Sequence, residues 1–168
     1  NSEVTFGVTV SGRPNDLPAV EQKVGLFINT LPLYAKLDDA LSIGSWLEAL
    51  QQDQILSRNY QYSALQEIQS WSGIKGDLFD SLLVFENYQV SKVINSNPWS
   101  LDVQKVNVKQ NTNYPFAITI GSAEQTSIRL SYNNSLLDVE NVKMIGDHFE
   151  FVLDQIINNP KAYWKDIK

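Results

Sequence analysis

Hydrophobic and polar residues alternate in several short runs that predict β-strands. In residues 4–10 every second side chain is apolar, which is the period of a strand with one buried face. Residues 25–33 are almost continuously apolar apart from Asn29 and Thr30, a pattern typical of a strand covered on both faces. Residues 82–85 form a shorter run of the same kind. The first half of the chain therefore predicts three strands.

Two further alternating runs, residues 116–120 and 128–132, lie on either side of residues 121–125. This arrangement predicts a hairpin whose loop is formed by 121–125. Residues 103–108 are a further strand candidate.

Apolar residues at helical spacing predict three helices. The first, near residues 42–58, has Ser42 as its N-cap, and the last, near residues 139–158, has Asp138 in that position. Between them, Ser63 with Gln66 three residues later forms the capping-box pattern of a short helix. Together the elements predict an α/β domain with mixed or antiparallel strand pairing, against which the first and last helices pack.

Composition narrows the class of protein. With 168 residues, 43% of them hydrophobic and 19% charged, the chain suits a compact folded domain. The net charge of −6 argues against a nucleic-acid partner, because phosphate binding requires a clustered basic surface. No apolar run approaches the ~20 residues of a membrane span and no signal segment opens the chain, so we expect no membrane contact and a cytoplasmic location. The absence of cysteine excludes disulfides, thiolate metal sites and a cysteine nucleophile.

The only methionine is Met144, and the chain begins with Asn1 directly before an extended apolar segment. A natural reading frame begins with methionine. We therefore expect this chain to be a piece of a longer protein.

The sequence holds no motif of a self-contained active site. Its glycines never fall in the spacing of a phosphate-binding loop, and no serine stands in a Gly-x-Ser-x-Gly elbow. The only histidine, His148, has Asp147 and Glu150 as its only close acidic neighbours, which are too few for a metal site. We interpret His148 as a structural or solvent-facing residue, and we predict no catalytic residue and no metal site in this chain.

Asn29 and Arg13 are the polar residues with the least usual settings. An amide inside an apolar strand must find hydrogen-bond partners, because otherwise it destabilises the fold. Two interpretations of Asn29 stay open: a structural amide bonded to the backbone, or a polar group presented to a substrate channel. Arg13 stands in a Gly-Arg-Pro turn, where a surface charge or an interdomain pair is a more common role than catalysis.

The order of these segments resembles the condensation domains of nonribosomal peptide synthetases. Residues 9–14, Thr-Val-Ser-Gly-Arg-Pro, followed by residues 24–33, Val-Gly-Leu-Phe-Ile-Asn-Thr-Leu-Pro-Leu, are similar to the signature of that family. Residues 58–62 and 78–88 resemble its following helical region and strand motif. The Asn-Thr-Leu-Pro pattern is similar to that of peptide-bond-forming members rather than of the epimerization and heterocyclization relatives. The resemblance extends from residue 4 to the end of the chain.

The fold implied by the resemblance is a chloramphenicol-acetyltransferase-like two-layer sandwich with a mixed sheet, one half of a V-shaped pair of subdomains. Residues 1–168 would be the C-terminal subdomain, with 1–14 as a strand and bridging loop and 160–168 as the run-out toward an adenylation domain. The implied partners are the N-terminal condensation subdomain, peptidyl carrier domains and the neighbouring adenylation domain.

The reaction implied by the resemblance takes place in a tunnel between the two subdomains, where carrier domains deliver thioesters on phosphopantetheine arms. Asn29, Thr30 and Arg13 would then belong to the tunnel wall, with no cofactor bound directly by this chain. The family's His-His-x-x-x-Asp-Gly motif belongs to the N-terminal half and is absent from this sequence, so we expect the chain to be inactive alone.

Two further expectations concern association and function. Cutting a two-subdomain enzyme exposes an apolar interface, so we expect the chain to self-associate through residues 8–14. The alternative function is that of a non-catalytic binding or scaffold module that reuses the same fold.

Overall fold

The computed structural model describes residues 3–11, 13, 17–86, 112–122 and 125–167. These residues contain five strands: β1 Glu3–Val10, β2 Asn29–Lys36, β3 Ser81–Glu86, β4 Phe116–Ser122 and β5 Thr126–Tyr132. They also contain three α-helices: α1 Ile43–Ser57, α2 Leu65–Ser72 and α3 Val139–Asn158. None of the helices in these ranges has the length and apolar content needed to cross a membrane.

The five strands form one sheet in the order β2-β1-β3-β4-β5. β1 pairs with β2, and β4 with β5, in antiparallel orientation, whereas β1 with β3 and β3 with β4 are parallel. The sheet is therefore mixed, and with the helices it confirms the predicted α/β fold class.

One face of the sheet carries the apolar residues that the alternation predicted. Val8 pairs with Leu31 on one side and with Leu83 on the other, Leu83 pairs with Ile118, and Ile118 with Leu130. Residues paired in this way point to the same face, so an apolar layer crosses all five strands.

The helices contact this apolar face and the ends of its strands. A Cβ atom placed on Gly146 would lie 3.0 Å from Leu130 Cδ1, so α3 packs closely against β5, as predicted. At the other edge of the sheet, Trp46 Nε1 of α1 donates a hydrogen bond of 2.6 Å to the carbonyl oxygen of Lys36 at the end of β2. Ile43, in the first turn of α1, is completely buried.

On the opposite face, an aromatic ring covers β1. The side chain of Phe79 crosses β1 directly at Gly7, where a Cβ atom would collide with the ring. Phe79 in turn stacks on Tyr114 with ring centroids 5.3 Å apart. Burial, with a smaller contribution from the charge of Asp77, raises the pKa of the Tyr114 hydroxyl. The lack of a side chain at Gly7 is what allows this aromatic pair to sit on the sheet.

Several predicted boundaries are confirmed. Ser42 caps α1, with its hydroxyl accepting a 3.3 Å hydrogen bond from the Ser45 amide. Asp138 caps α3 in the same way, accepting from the Asn141 amide at 2.8 Å. The predicted strands at 4–10 and 82–85 correspond to β1 and β3, and the predicted hairpin corresponds to β4 and β5.

The predicted first residues of one strand and one helix were wrong. The strand expected at residues 25–33 begins only at Asn29, and Leu26, in the apolar run before it, is 92% exposed. The short helix expected to start at Ser63 starts at Leu65, with Ala64 as an N-cap that makes no side-chain bond. The strand candidate at residues 103–108 lies outside the described residues.

Candidate functional site

The residues expected at a tunnel wall lie together where β1 ends and β2 begins. Val10 pairs with Asn29, and Thr9 with Thr30. Arg13 follows the end of β1 by three residues. The antiparallel pairing of these two strands therefore brings the three candidates into one neighbourhood, although they are up to seventeen positions apart in the sequence.

The side-chain amide of Asn29 makes hydrogen bonds to three backbone groups of the same chain. Its Nδ2 donates to the carbonyl oxygens of Gln61 at 2.9 Å and of Ser63 at 2.8 Å. Its Oδ1 accepts a 2.9 Å hydrogen bond from the Thr30 amide. Since both amide hydrogens and the oxygen have partners, the geometry favours the structural interpretation of Asn29 over the one in which it contacts substrate.

Thr30 faces the other side of the sheet from Asn29, because successive side chains of a strand alternate. It is half-buried and stands opposite Thr9. Of the two neighbouring candidates on β2, Thr30 is the one whose side chain points away from the apolar layer. Its hydroxyl can both donate and accept a hydrogen bond.

Arg13 holds a loop rather than projecting freely. Its Nη1 donates to the carbonyl oxygen of Val20 and, at 3.3 Å, to that of Lys23. The guanidinium also lies over the ring of Phe27, 4.1 Å from its centroid, which is a cation–π geometry. These contacts fix residues 20–27, which precede β2.

Gln61 lies in the segment 58–62 but was not among the predicted site residues, and it connects Arg13 with Asn29. Its side-chain Nε2 donates to the carbonyl oxygen of Arg13 at 3.0 Å, and its own carbonyl oxygen accepts from Asn29. A single glutamine in a turn has no spacing that would mark it. The one available signal was indirect: an asparagine within an apolar strand requires acceptors, and a turn nearby in space can supply them.

The segment that Arg13 fixes presents apolar side chains to solvent. Val24 and Leu26 are almost fully exposed, and Ile28 is more than half exposed. Phe27, which lies between Leu26 and Ile28, is partly covered by Arg13, whereas its apolar neighbours face solvent. Large exposed apolar groups in a fixed backbone are a feature of interaction surfaces.

The chemistry available around Arg13, Asn29 and Thr30 is binding and orientation. A guanidinium stays protonated in proteins, and an amide and a hydroxyl do not take up protons near neutral pH. His148, the only histidine of the sequence, lies on α3 and is exposed, as are its neighbours Asp147 and Glu150. Within the described ranges, no three histidine, aspartate or glutamate side chains are grouped closely enough to hold a metal ion.

Comparison with known proteins agrees with this architecture. The family model described as "Condensation domain" matches residues 1–168. Chondramide synthase of Chondromyces crocatus is 37% identical over 164 residues, which are 96% of this chain and 4% of that protein. The chain thus spans a small part of the length of this curated relative.

Solved structures show the same fold at low sequence identity. A four-domain nonribosomal peptide synthetase in its holo form, bound to AMP and glycine, superposes with a TM-score of 0.81 and 16% identity, covering 96% of this chain and 14% of that one. The starter condensation domain of the rhizomide synthetase gives a TM-score of 0.75 and 13% identity, covering all of this chain and 40% of that one. Because the family model matches the chain from end to end, the chain belongs to the condensation-domain family.

Proposed function

We propose that this chain is the C-terminal half of a condensation domain, which forms peptide bonds between carrier-bound aminoacyl or peptidyl thioesters in nonribosomal peptide synthesis. The match of a condensation-domain model to all 168 residues carries the proposal. Two facts support the assignment to one half. The chain covers only 40% of a solved condensation domain, and its sequence lacks the His-His-x-x-x-Asp-Gly motif.

Peptide-bond formation from a thioester needs three contributions. The acceptor amine attacks the thioester carbonyl and forms the new C–N bond. The C–S bond breaks, the amine loses a proton, and the departing thiolate takes up a proton to leave as a thiol. The catalyst therefore has to position two reactants, assist proton transfer and stabilise the developing oxyanion. Arg13, Asn29 and Thr30 can contribute to positioning but not to removal of the proton.

The role of this half is therefore to form one wall of the reaction tunnel. Thr30 points away from the apolar layer and is the candidate that can contact a substrate arm. Arg13 and Asn29 support the wall through hydrogen bonds to the backbone. Arg13 holds the loop before β2, and Asn29 holds the turn at Gln61. The group that assists attack by the amine belongs to the N-terminal subdomain, so this chain alone is inactive.

The partners follow from this assignment. The N-terminal subdomain packs against this half, and peptidyl carrier domains bring both substrates on phosphopantetheine arms, with no cofactor bound directly by the chain. An adenylation domain is the neighbour in sequence, and the assembly is cytoplasmic. The names of the relatives, which are peptide synthases such as gramicidin S synthase 2 of Aneurinibacillus migulanus, support this context.

Recombining the two halves tests the proposed function. The chain is mixed with the N-terminal half of its own domain and with two aminoacylated carrier domains, and dipeptide formation is followed by mass spectrometry. We expect the mixture to form dipeptide faster than either half alone. A stable complex of the two halves that forms no dipeptide would instead support the scaffold function.

A further inference from the structure

We propose that residues 160–167, here called the C-terminal strap, are docked on the start of α1. This docking fixes the place where any continuing polypeptide would leave the domain. After α3 ends at Asn158, the chain lies against the start of α1. The inference concerns only contacts within this chain and does not depend on the proposed function.

The C-terminal strap supplies acceptors to the first turn of α1. The first amides of an α-helix have no partner within the helix. The Ile43 amide donates to the carbonyl oxygen of Ala162 at 2.9 Å, and the Gly44 amide to that of Pro160 at 2.8 Å. Ser42 caps only the Ser45 amide. Two amides at the start of α1 are thus satisfied by a segment more than a hundred residues away in sequence.

Gly44 lies in tight contact with the C-terminal strap. A Cβ atom at this position would lie 3.0 Å from the carbonyl oxygen of Pro160, and this oxygen is backbone rather than the mobile end of a side chain. Glycine in the first turn of a helix costs stability relative to alanine. A methyl group at position 44 would press on this carbonyl oxygen, so a substitution here tests the contact.

Two tryptophans hold the far end of the strap. Trp164 packs edge-to-face on Trp46, with ring centroids 4.9 Å apart and an angle of 89° between the ring planes, the geometry that aromatic pairs prefer. Trp46 is itself bonded to the end of β2 through Lys36. The strap therefore closes over a residue that already joins α1 to the sheet.

The strap also has local order of its own. Tyr163 forms an antiparallel bridge with Ser42, and its amide donates to Asp166 Oδ2 at 3.1 Å. The Asp166 amide donates back to the Tyr163 carbonyl oxygen at 2.9 Å. A short 3-10 turn, Trp164–Asp166, results, so the end of the strap has a defined backbone conformation.

Docking would limit how far from the domain any following segment could extend. Eight extended residues beyond α3 could span about 27 Å at roughly 3.4 Å each. Docking removes this reach and places the exit of the chain beside the start of α1. Release of the strap would allow these eight residues to extend again. Docking and release would therefore change how far, and in which direction, a following segment extends.

Distance measurement between two labels tests the proposal. The sequence has no cysteine, so Glu48→Cys and Lys165→Cys, both at exposed positions, accept a spin-label pair without background. We expect one narrow distance distribution in the labelled chain. Adding Gly44→Ala should broaden it, and should raise hydrogen exchange at residues 43 and 44 at least tenfold while exchange at Ile118 in β4 stays unchanged.

Two results would overturn the proposal. One is a narrow distribution and unchanged exchange in the Gly44→Ala variant, because the strap would then not depend on close approach. The other is a broad distribution in the parent labelled chain. Trp164→Ala should reproduce the broadening if Gly44→Ala fails to fold, and Trp71→Ala, at a tryptophan that is 70% exposed on α2, should leave the distribution narrow.

Discussion

Asn29 Nδ2 donates a 2.9 Å hydrogen bond to the carbonyl oxygen of Gln61, 32 positions further along the chain. The same nitrogen donates to Ser63, and Gln61 reaches back to Arg13. The start of β2, the loop after β1 and the turn before α2 are thereby joined by side-chain amides. The shape of the candidate tunnel wall depends on this connection as much as on the strands themselves.

Asn29→Ala should lower stability. The substitution removes both donors and leaves the carbonyl groups of Gln61 and Ser63 without them, so we expect a loss of about 1–3 kcal/mol in the free energy of unfolding. Asn29→Asp should destabilise at least as much, since a carboxylate has no hydrogen to donate to these carbonyl groups. Urea denaturation measures both.

The control for Asn29 is Asn134→Ala, an exposed position in the turn after β5, where we expect a change within about 0.5 kcal/mol. In the recombined domain, the rate per folded complex should be unchanged by Asn29→Ala if the amide is structural. A lower rate with unchanged stability would show that Asn29 contacts substrate after all.

Gly7→Ala should also destabilise the fold. The added methyl group would collide with the ring of Phe79, and overpacking of this kind typically costs about 1–3 kcal/mol. Gly25→Ala is the matched control, because its Cβ would meet only Phe27 at an ordinary 3.4 Å. Equal melting temperatures for the two variants would contradict the described position of Phe79.

The ion pair between Glu3 and Lys36 should respond to pH in a defined direction. The two groups are 3.0 Å apart. Hydrogen bonds from the side chains of Lys36 and Tyr34, and then the charge of Lys36, lower the pKa of the Glu3 carboxyl. A lowered pKa means that the pair contributes stability above the ordinary pKa of glutamate, and that this contribution is lost as the pH falls through the lowered value.

Lys36→Met should therefore raise the pKa of Glu3 in a carbon-detected NMR titration. Because both side chains are more than half exposed, the effect on stability should be small and should weaken with salt. Lys75→Met removes an equal charge elsewhere and should leave the pKa of Glu3 unchanged. An unchanged pKa in Lys36→Met would refute the pairing.

Self-association of the chain is expected from its exposed apolar residues. Residues 8–14, of which 12 and 14 lie outside the described residues, are the predicted interface. The segment before β2, where Leu26 is 92% exposed, adds apolar surface that a partner would cover. Sedimentation velocity should show dimers or larger species at high concentration, and Leu26→Lys should shift the distribution toward monomer. A monomer at every concentration would count against an interface here.

The sequence predicted those elements whose stability comes from a regular pattern. β1, the β4–β5 hairpin and α3 each have a repeat of two or of three to four residues, and Ser42 and Asp138 mark helix starts by a local hydrogen bond. In these cases the residues that form the element also carry the signal, so periodicity was sufficient.

The wrongly predicted element starts lie where tertiary contacts determine the backbone conformation. The apolar run before Asn29 has the pattern of a buried strand, but Arg13 holds the preceding carbonyl groups and the ring of Phe27, and the run stays exposed. Ser63 has the pattern of a helix cap, but its carbonyl oxygen accepts from Asn29 and the helix begins two residues later. Gln61 could not be predicted, because its contacts join segments that are far apart in sequence.

The rate of dipeptide formation by the isolated chain tests the assignment of roles most directly. Supplied with a donor and an acceptor on their carrier domains, the chain alone should form dipeptide no faster than the uncatalysed reaction, because Arg13, Asn29 and Thr30 cannot accept the proton of the attacking amine. Turnover near that of an intact condensation domain would contradict this assignment, and would make His148 the residue to substitute next.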